Sequence, residues 1–462
     1  MIVIALVPLL VAALFLVSST VVGRLADPRV ARRTAVYCAT AAAVLSIALP
    51  LTTRSASFVT GRQVAGLTVV TLPDDVTRLV TVATCVAGLL IVAMSPLASH
   101  PPATLARILQ LLAISAGFAA VRQGAVSVVL WALSAWLVWT GLRGRGGARE
   151  GSRQDAGGGA GGGPGVGSGV GSGGGGDGLA RLFAVYHVPG VLLFGAGTAL
   201  TAAGARTTGA VLVVLAIMIR FAVIPLHSWY PRFVERSPLG IVVAFGTAPV
   251  GVLTQLGLRA TPLPVSLAHD VALVGGLTAV VAAVFALVQS DARRALAFLM
   301  MSQTGLIACG LGNGSPAAVS GAVLTWQVSA LAVSGFAMVL AALEARRGTL
   351  SLVVPGGNFA RTPRLAVAFL LCGLATAGFP LSLGFAGGHL LIHGSVAESP
   401  LVWLALIGAV GVNGMTVMRC FFALFAGSRV HSGERDLVPL ETYALTIAVG
   451  ALLIGGVFPV IP

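Results

Sequence analysis

Residues 216–231 read AIMIRFAVIPLHSWYP. Arg220 stands deep inside an apolar run, and Pro225, His227, Trp229 and Pro231 follow within eleven positions. A proline inside a helix removes one backbone donor and frees carbonyls that can face a polar cavity. A charge inside an apolar span marks a functional position by default. This stretch therefore reads as a membrane helix broken around a buried cation. On a continuous helix, Arg220 and His227, seven residues apart, share one face.

The rest of the chain fits a membrane setting. Of its 462 residues 57% are hydrophobic and 9% charged, and mean hydropathy is +0.98. Windows of roughly 17–25 apolar residues give about fourteen candidate spans. They begin near residues 2, 34, 76, 104, 123, 184, 209, 239, 268, 294, 317, 364, 401 and 441. The first, starting at the N-terminus, lacks a basic leader and reads as a retained span. The fold class expected is an all-α polytopic membrane protein with two discontinuous helices.

Basic residues alternate between the two sides of these spans. One side collects Arg24, Arg29, Arg32, Arg33, Arg107, Arg143, Arg145, Arg149, Arg153, Arg181, Arg232, Arg236, Arg293, Arg294, Arg346, Arg347, Arg361, Arg364, Arg429 and Arg435. The other holds Arg54, Arg62, Arg78, Arg122, Arg206 and Arg259, offset by Asp74, Asp75 and Asp270. The positive-inside rule then puts both termini outside. The net charge of +14 is orientation charge in short loops and does not indicate nucleic acid. Residues 144–180, dominated by glycine, read as a flexible cytoplasmic linker between spans in 1–143 and spans in 181–462.

Further polar residues inside apolar runs are candidates for an ion path. Gly378-Phe-Pro380-Leu-Ser382 reads as a second helix break, and His389 follows it; histidine exchanges protons near neutrality. Arg419 is another charge within a span, and Ser302 with Gln303 forms a polar patch suited to helix packing. The fourteen acidic residues fall in loops or at span ends, which leaves Arg220 without an evident carboxylate. The five cysteines are scattered one per span, with no ligand spacing. No catalytic triad, metal cluster or cofactor motif is evident, so no redox site of its own is expected. All 28 Lys+Arg residues are arginine, and arginine, unlike lysine, does not release its proton at working pH.

The run from Arg220 to Arg259 resembles the signature of the antiporter-like proton-translocating subunits of respiratory complex I, membrane-bound hydrogenases and multi-subunit sodium/proton antiporters. That pattern is a buried basic residue followed by Pro, His, Trp and Pro, then a small-residue span ending in Leu-x-x-Arg. Asp291-Ala-Arg293-Arg294 leading to Ser302-Gln303-Thr-Gly305 is similar to the next signature, and Gly378-x-Pro380 with Gly384-Phe385 to its late broken helix. The resemblance implies a membrane subunit of an NADH:quinone-oxidoreductase-like or cation/proton-antiporter-like complex in the plasma membrane. Its partners would be other membrane subunits and a peripheral soluble subunit, with no cofactor or metal of its own.

The departures bear on activity. The family's span-seven lysine falls on Arg220 and its span-five glutamate on Ala132, after Trp131. A histidine falls on Phe245 or Gly246, the span-eight lysine on Gly251 and the span-eleven lysine near Val333. The basic or acidic residue of the late broken helix falls on Gly388, one position before His389. Three roles stay open: proton translocation, a non-conducting anchoring subunit, or the membrane subunit of an inorganic-carbon uptake system.

Overall fold

The computed structural model describes residues 7–52, 60–64, 67–71, 75–121, 124–157, 175–258, 264–396, 400–427 and 435–459. Outside them lie both chain ends, residues 158–174 of the expected linker, and the loop charges Arg54, Asp74, Arg122, Arg259 and Arg429. The side chains of Arg62, Asp75, Arg145, Arg149 and Arg153 also lie outside. The flanks of the linker are helical, for helix continues to Gly157 and resumes at Gly175.

The described chain is built of helices. They are α1 (Val7–Arg24), α2 (Pro28–Thr52), α3 (Asp75–Met94), α4 (Pro102–Ala120), α5 (Ala125–Gly157), α6 (Gly175–Ala202), α7 (Arg206–Arg220), α8 (Trp229–Arg236) and α9 (Leu239–Gly246). They continue with α10 (Val250–Leu258), α11 (Val265–Val288), α12 (Ala292–Gly312), α13 (Pro316–Val328), α14 (Ser334–Arg347), α15 (Pro363–Thr376), α16 (Leu383–Ser395), α17 (Pro400–Phe425) and α18 (Pro439–Val457). A short antiparallel hairpin, Thr60–Val64 with Leu67–Thr71, sits in the α2–α3 connection. Among the described residues, twelve helical segments are long and apolar enough to cross a membrane.

The helices divide into an inner set and an outer set. In α12 and in Pro316–Arg347, 89% of the span window is buried, against 33% in α5, α6 and α17. The outer helices leave large apolar side chains such as Leu192 and Val185 two-thirds exposed, a surface that only lipid or a protein neighbour covers. Inside, backbones approach closely at small residues. A Cβ on Gly275 would stand 2.6 Å from Cys309 N, and one on Gly305 2.6 Å from Ala279 N. Small residues drive this kind of α11–α12 contact in membranes, where apolar burial alone gives no preference for protein over lipid.

Both expected breaks are present. Between α7 and α8 the chain leaves the helix for residues 221–228, with Ala222 at φ 52° and a cis Ile224–Pro225 peptide. Between α15 and α16, Gly378 and Leu381 take φ of 72° and 69°. A third interruption divides α9 from α10 at Thr247–Pro249, where Pro249 cannot donate to the residue four before it. Within the long segment Pro316–Arg347, Ser329–Val333 forms a π turn.

The polar face of the bundle is tied together by arginines at helix ends. Arg293 forms a two-pronged pair with Glu344, 2.6 and 2.7 Å. Its Nη1 also donates to the carbonyls of Val234, Glu235 and Ser237, the orphan acceptors at the end of α8. The Asp291 carboxylate caps α12 by accepting from the N–H groups of Arg293 and Arg294.

Candidate functional site

Three prolines each leave a carbonyl four residues earlier without its helical donor, and in each case a buried side chain supplies one. Pro225 frees Phe221 O, which accepts from Thr304 Oγ1 at 2.7 Å. Pro249 frees Phe245 O, which accepts from Arg220 Nη2 at 3.1 Å. Pro380 frees Thr376 O, which accepts from Gln303 Nε2 at 3.0 Å. An unpaired carbonyl in hydrocarbon costs several kcal/mol, so these contacts are what make the breaks tolerable. Two of the sequence candidates, Arg220 and Gln303, thus hold the backbone of neighbouring broken helices. The Ile224 N–H in the first break donates to Thr278 Oγ1 at 3.2 Å.

Arg220 ends α7 and is 8% exposed. Its guanidinium carbon lies 3.4 Å from the centre of the Phe245 ring, a cation–π contact worth about 2 kcal/mol when desolvated. None of the described ion pairs includes it, and its Nη1 is buried without a partner. Around it an aromatic cage closes. His187 of α6 stacks on Phe183 at 3.9 Å and meets the edge of Trp229 at 4.4 Å and Phe245 at 5.4 Å. Tyr230 lies beside Trp229 and donates its hydroxyl to Met300 Sδ at 3.4 Å. His187 escaped the sequence reading, although it stands two residues before Pro189 in an apolar run; helix α6 continues through Pro189, so no break marks it.

The other candidates fall in separate places. His227 lies in the break, so the helical-face argument linking it to Arg220 does not hold: residues 221–228 are not helical. Its Nδ1 is buried and unpartnered. His389 is on the exposed face of α16, flanked by the rings of Phe385 and His393 at 6.2 and 6.0 Å. Arg419 donates to the carbonyls of Leu287 and Gln289 at 2.5 and 2.7 Å, capping the end of α11. Ser302 donates to Ala279 O and accepts from Asn413 Nδ2, joining α11, α12 and α17.

The positions where the family pattern has titratable groups are occupied by close packing. A Cβ on Gly251 would strike the Phe221 ring, with Cζ at 2.9 Å. On Gly246 it would meet Tyr230 Oη at 2.6 Å and Met300 Cε at 3.0 Å. Val333 is 1% exposed within the core. Gly388 differs, since nothing lies within 4 Å of a Cβ built there. Trp131 packs on Phe194 at 4.5 Å, leaving Ala132 half-buried beside it.

Residues 179–414 match the model of the transmembrane family described as NADH:quinone oxidoreductase/Mrp antiporter. The chain belongs to this family. Over 255 residues it is 31% identical to NADH-quinone oxidoreductase subunit 13 of Thermus thermophilus, covering 53% of each chain. It is 27% identical over 261 residues to a Na(+)/H(+) antiporter subunit of Alkalihalophilus pseudofirmus, covering 52% of each. This antiporter-family chain thus spans about half the length of the curated relatives it matches. In fold it superposes on a chain of respiratory complex I from Thermus thermophilus with a TM-score of 0.83 at 21% identity, covering 99% of this chain and 96% of that one. A chain of the Mrp complex from Dietzia gives 0.80 at 16% identity, with 99% and 95% covered. The likeness in fold thus extends over almost the whole helical, polytopic chain.

Proposed function

We propose that this chain is the antiporter-like membrane subunit of a multi-subunit complex in the bacterial plasma membrane, crossing about fourteen times with both termini outside. In this reading it moves protons as its partners react, and Arg220 is a fixed charge that controls the proton without carrying it. The observation that carries this is the Arg220 site. A permanently protonated side chain stands at a helix break, buried, with no described carboxylate pair. The names of its relatives, NADH-quinone oxidoreductase subunits and a Na(+)/H(+) antiporter subunit, support the same class of work. Its partners are then other membrane subunits, with the apolar outer faces of α5, α6 and α17 available to lipid or to them.

A second reading, a non-conducting anchor, is favoured by Gly246 and Gly251, where close packing leaves no room for the titratable groups of the family pattern, and by Val333, an apolar core side chain at such a position. Proteoliposomes holding the native complex decide between them. Uncoupler-sensitive proton flux that disappears when this chain is omitted supports translocation. Flux that is absent, or the same without the chain, supports the anchor.

A further inference from the structure

Among the described residues, four buried nitrogens near the first break have no hydrogen-bond partner: Arg220 Nη1, His187 Nε2, Trp229 Nε1 and His227 Nδ1. Three of them belong to the cage on Phe245, and their chemistry is complementary. His187 Nδ1 lies 3.1 Å from Phe183 O. A carbonyl only accepts, so Nδ1 carries the hydrogen and donates it, and the lone pair of the neutral ring is on Nε2. The guanidinium N–H and the indole N–H are donors only. Two donors and one acceptor belong to the cage, a set whose hydrogen-bonding chemistry matches that of a single bridging water.

We propose that His187 holds the exchangeable proton of the Arg220 site. This rests on the reading that the chain handles protons there, and it names the group that does so. The ring is fixed for the task. It is 4% exposed, lies parallel to Phe183 with an interplanar angle of 7°, and is pinned at Nδ1, so Nε2 alone is left to gain and lose a proton. In the step, an N–H bond forms at Nε2 as an O–H bond of a hydronium in the cage breaks, and the reverse releases it; no electrons are exchanged. The imidazolium formed is a second positive charge beside Arg220, so proton occupancy of His187 and the state of Arg220's surroundings are coupled. The other titratable group at the cage is Tyr230 of α8, engaged with Met300; His227 lies in the break. Tyr186 on α6 itself is bonded to Ser228 Oγ at 2.7 Å. α9 presents Phe245, and the described membrane span of α5 carries one titratable side chain, Arg143 at its far end, over Trp139.

The test uses the full chain, labelled with 15N-histidine, in lipid nanodiscs. Its seven histidines give separable ring signals, and the one lost in His187→Gln is assigned to His187. Between about pH 4 and 9, the expected result is a ring that is neutral and protonated at Nδ1 over most of the range, becomes an imidazolium only towards its acid end, and does so at higher pH in Arg220→Gln, where the neighbouring positive charge is gone. In the reconstituted complex, His187→Gln lowers proton flux at least about tenfold, while co-purification with the partner subunits is retained. A His187 signal unchanged across that pH range overturns the proposal, as does full flux in His187→Gln. A titrating His187 in a wild-type complex that passes no protons overturns the translocation reading and leaves this one standing.

Discussion

Replacing Gln303 by leucine isolates what one proline-freed carbonyl is worth. The bond from Gln303 Nε2 to Thr376 O is 3.0 Å long, between residues 2% and 5% exposed. An ordinary hydrogen bond between membrane helices contributes about 0.6 kcal/mol, and a carbonyl within a helix keeps its backbone donor when the side chain is lost. Thr376 O has no such fallback, since residue 380 is proline. Its loss leaves a buried acceptor unpaired, at a cost of about 1–3 kcal/mol. A value near 2 kcal/mol is a change of about thirtyfold in the folding equilibrium. Leucine nearly conserves volume, which keeps the packing contribution small. Ser302→Ala is the internal comparison, made in an Asn413→Leu background because Ser302 also accepts from Asn413 Nδ2; Ala279 O, to which Ser302 donates, lies within the α11 helix. Reversible unfolding of the purified chain by SDS titration, followed by tryptophan fluorescence, measures both. Gln303→Leu is expected to cost at least twice what Ser302→Ala does. Equal costs would refute the idea that the side chain substitutes for a missing backbone donor.

Other substitutions give outcomes as definite. Arg293→Ala removes both prongs to Glu344 and three carbonyl contacts at about 20% side-chain exposure; it is expected to destabilise by about 2–3 kcal/mol in the same titration, most of it from the stranded Glu344 charge. Gly251→Ala forces the Phe221 ring aside at an overpacking cost of about 1–3 kcal/mol. Adding Phe221→Leu should recover part of that cost, and a strictly additive pair contradicts the contact. His389→Ala, on an exposed face, should change stability by less than about 0.5 kcal/mol and leave flux in the complex within about twofold.

The breaks and the composition were legible because proline and charge inside apolar runs are local signals. Arg220, Pro225 and Pro380 announced two broken helices without any tertiary information. Pro249 was equally visible, yet its meaning depends on Arg220 reaching Phe245 from 25 residues away, a contact no spacing rule supplies. The link between Arg220 and His227 failed for the reason that made both residues conspicuous: the proline between them destroys the helical periodicity that would align them. Arg419 looked like a functional charge because sequence gives its depth in a span and not the helix end that it meets. His187 has no local signal beyond standing in an apolar run, and only the fold brings Trp229 and Phe245 against it. The positions that depart from the family pattern, Gly246 and Gly251, read in sequence as lost chemistry. In the fold they are also the sites into which Tyr230 and Phe221 pack, so the loss is accompanied by a rebuilt core.

The most direct test of the account is proton flux through the reconstituted complex with Arg220 changed in charge and in chemistry. If Arg220 is a fixed charge, Arg220→Lys retains most of the flux and Arg220→Gln, which keeps a donor for Phe245 O and removes the charge, loses at least about tenfold. Flux in Arg220→Gln equal to that of the unaltered complex would contradict the claim that the buried charge controls the proton.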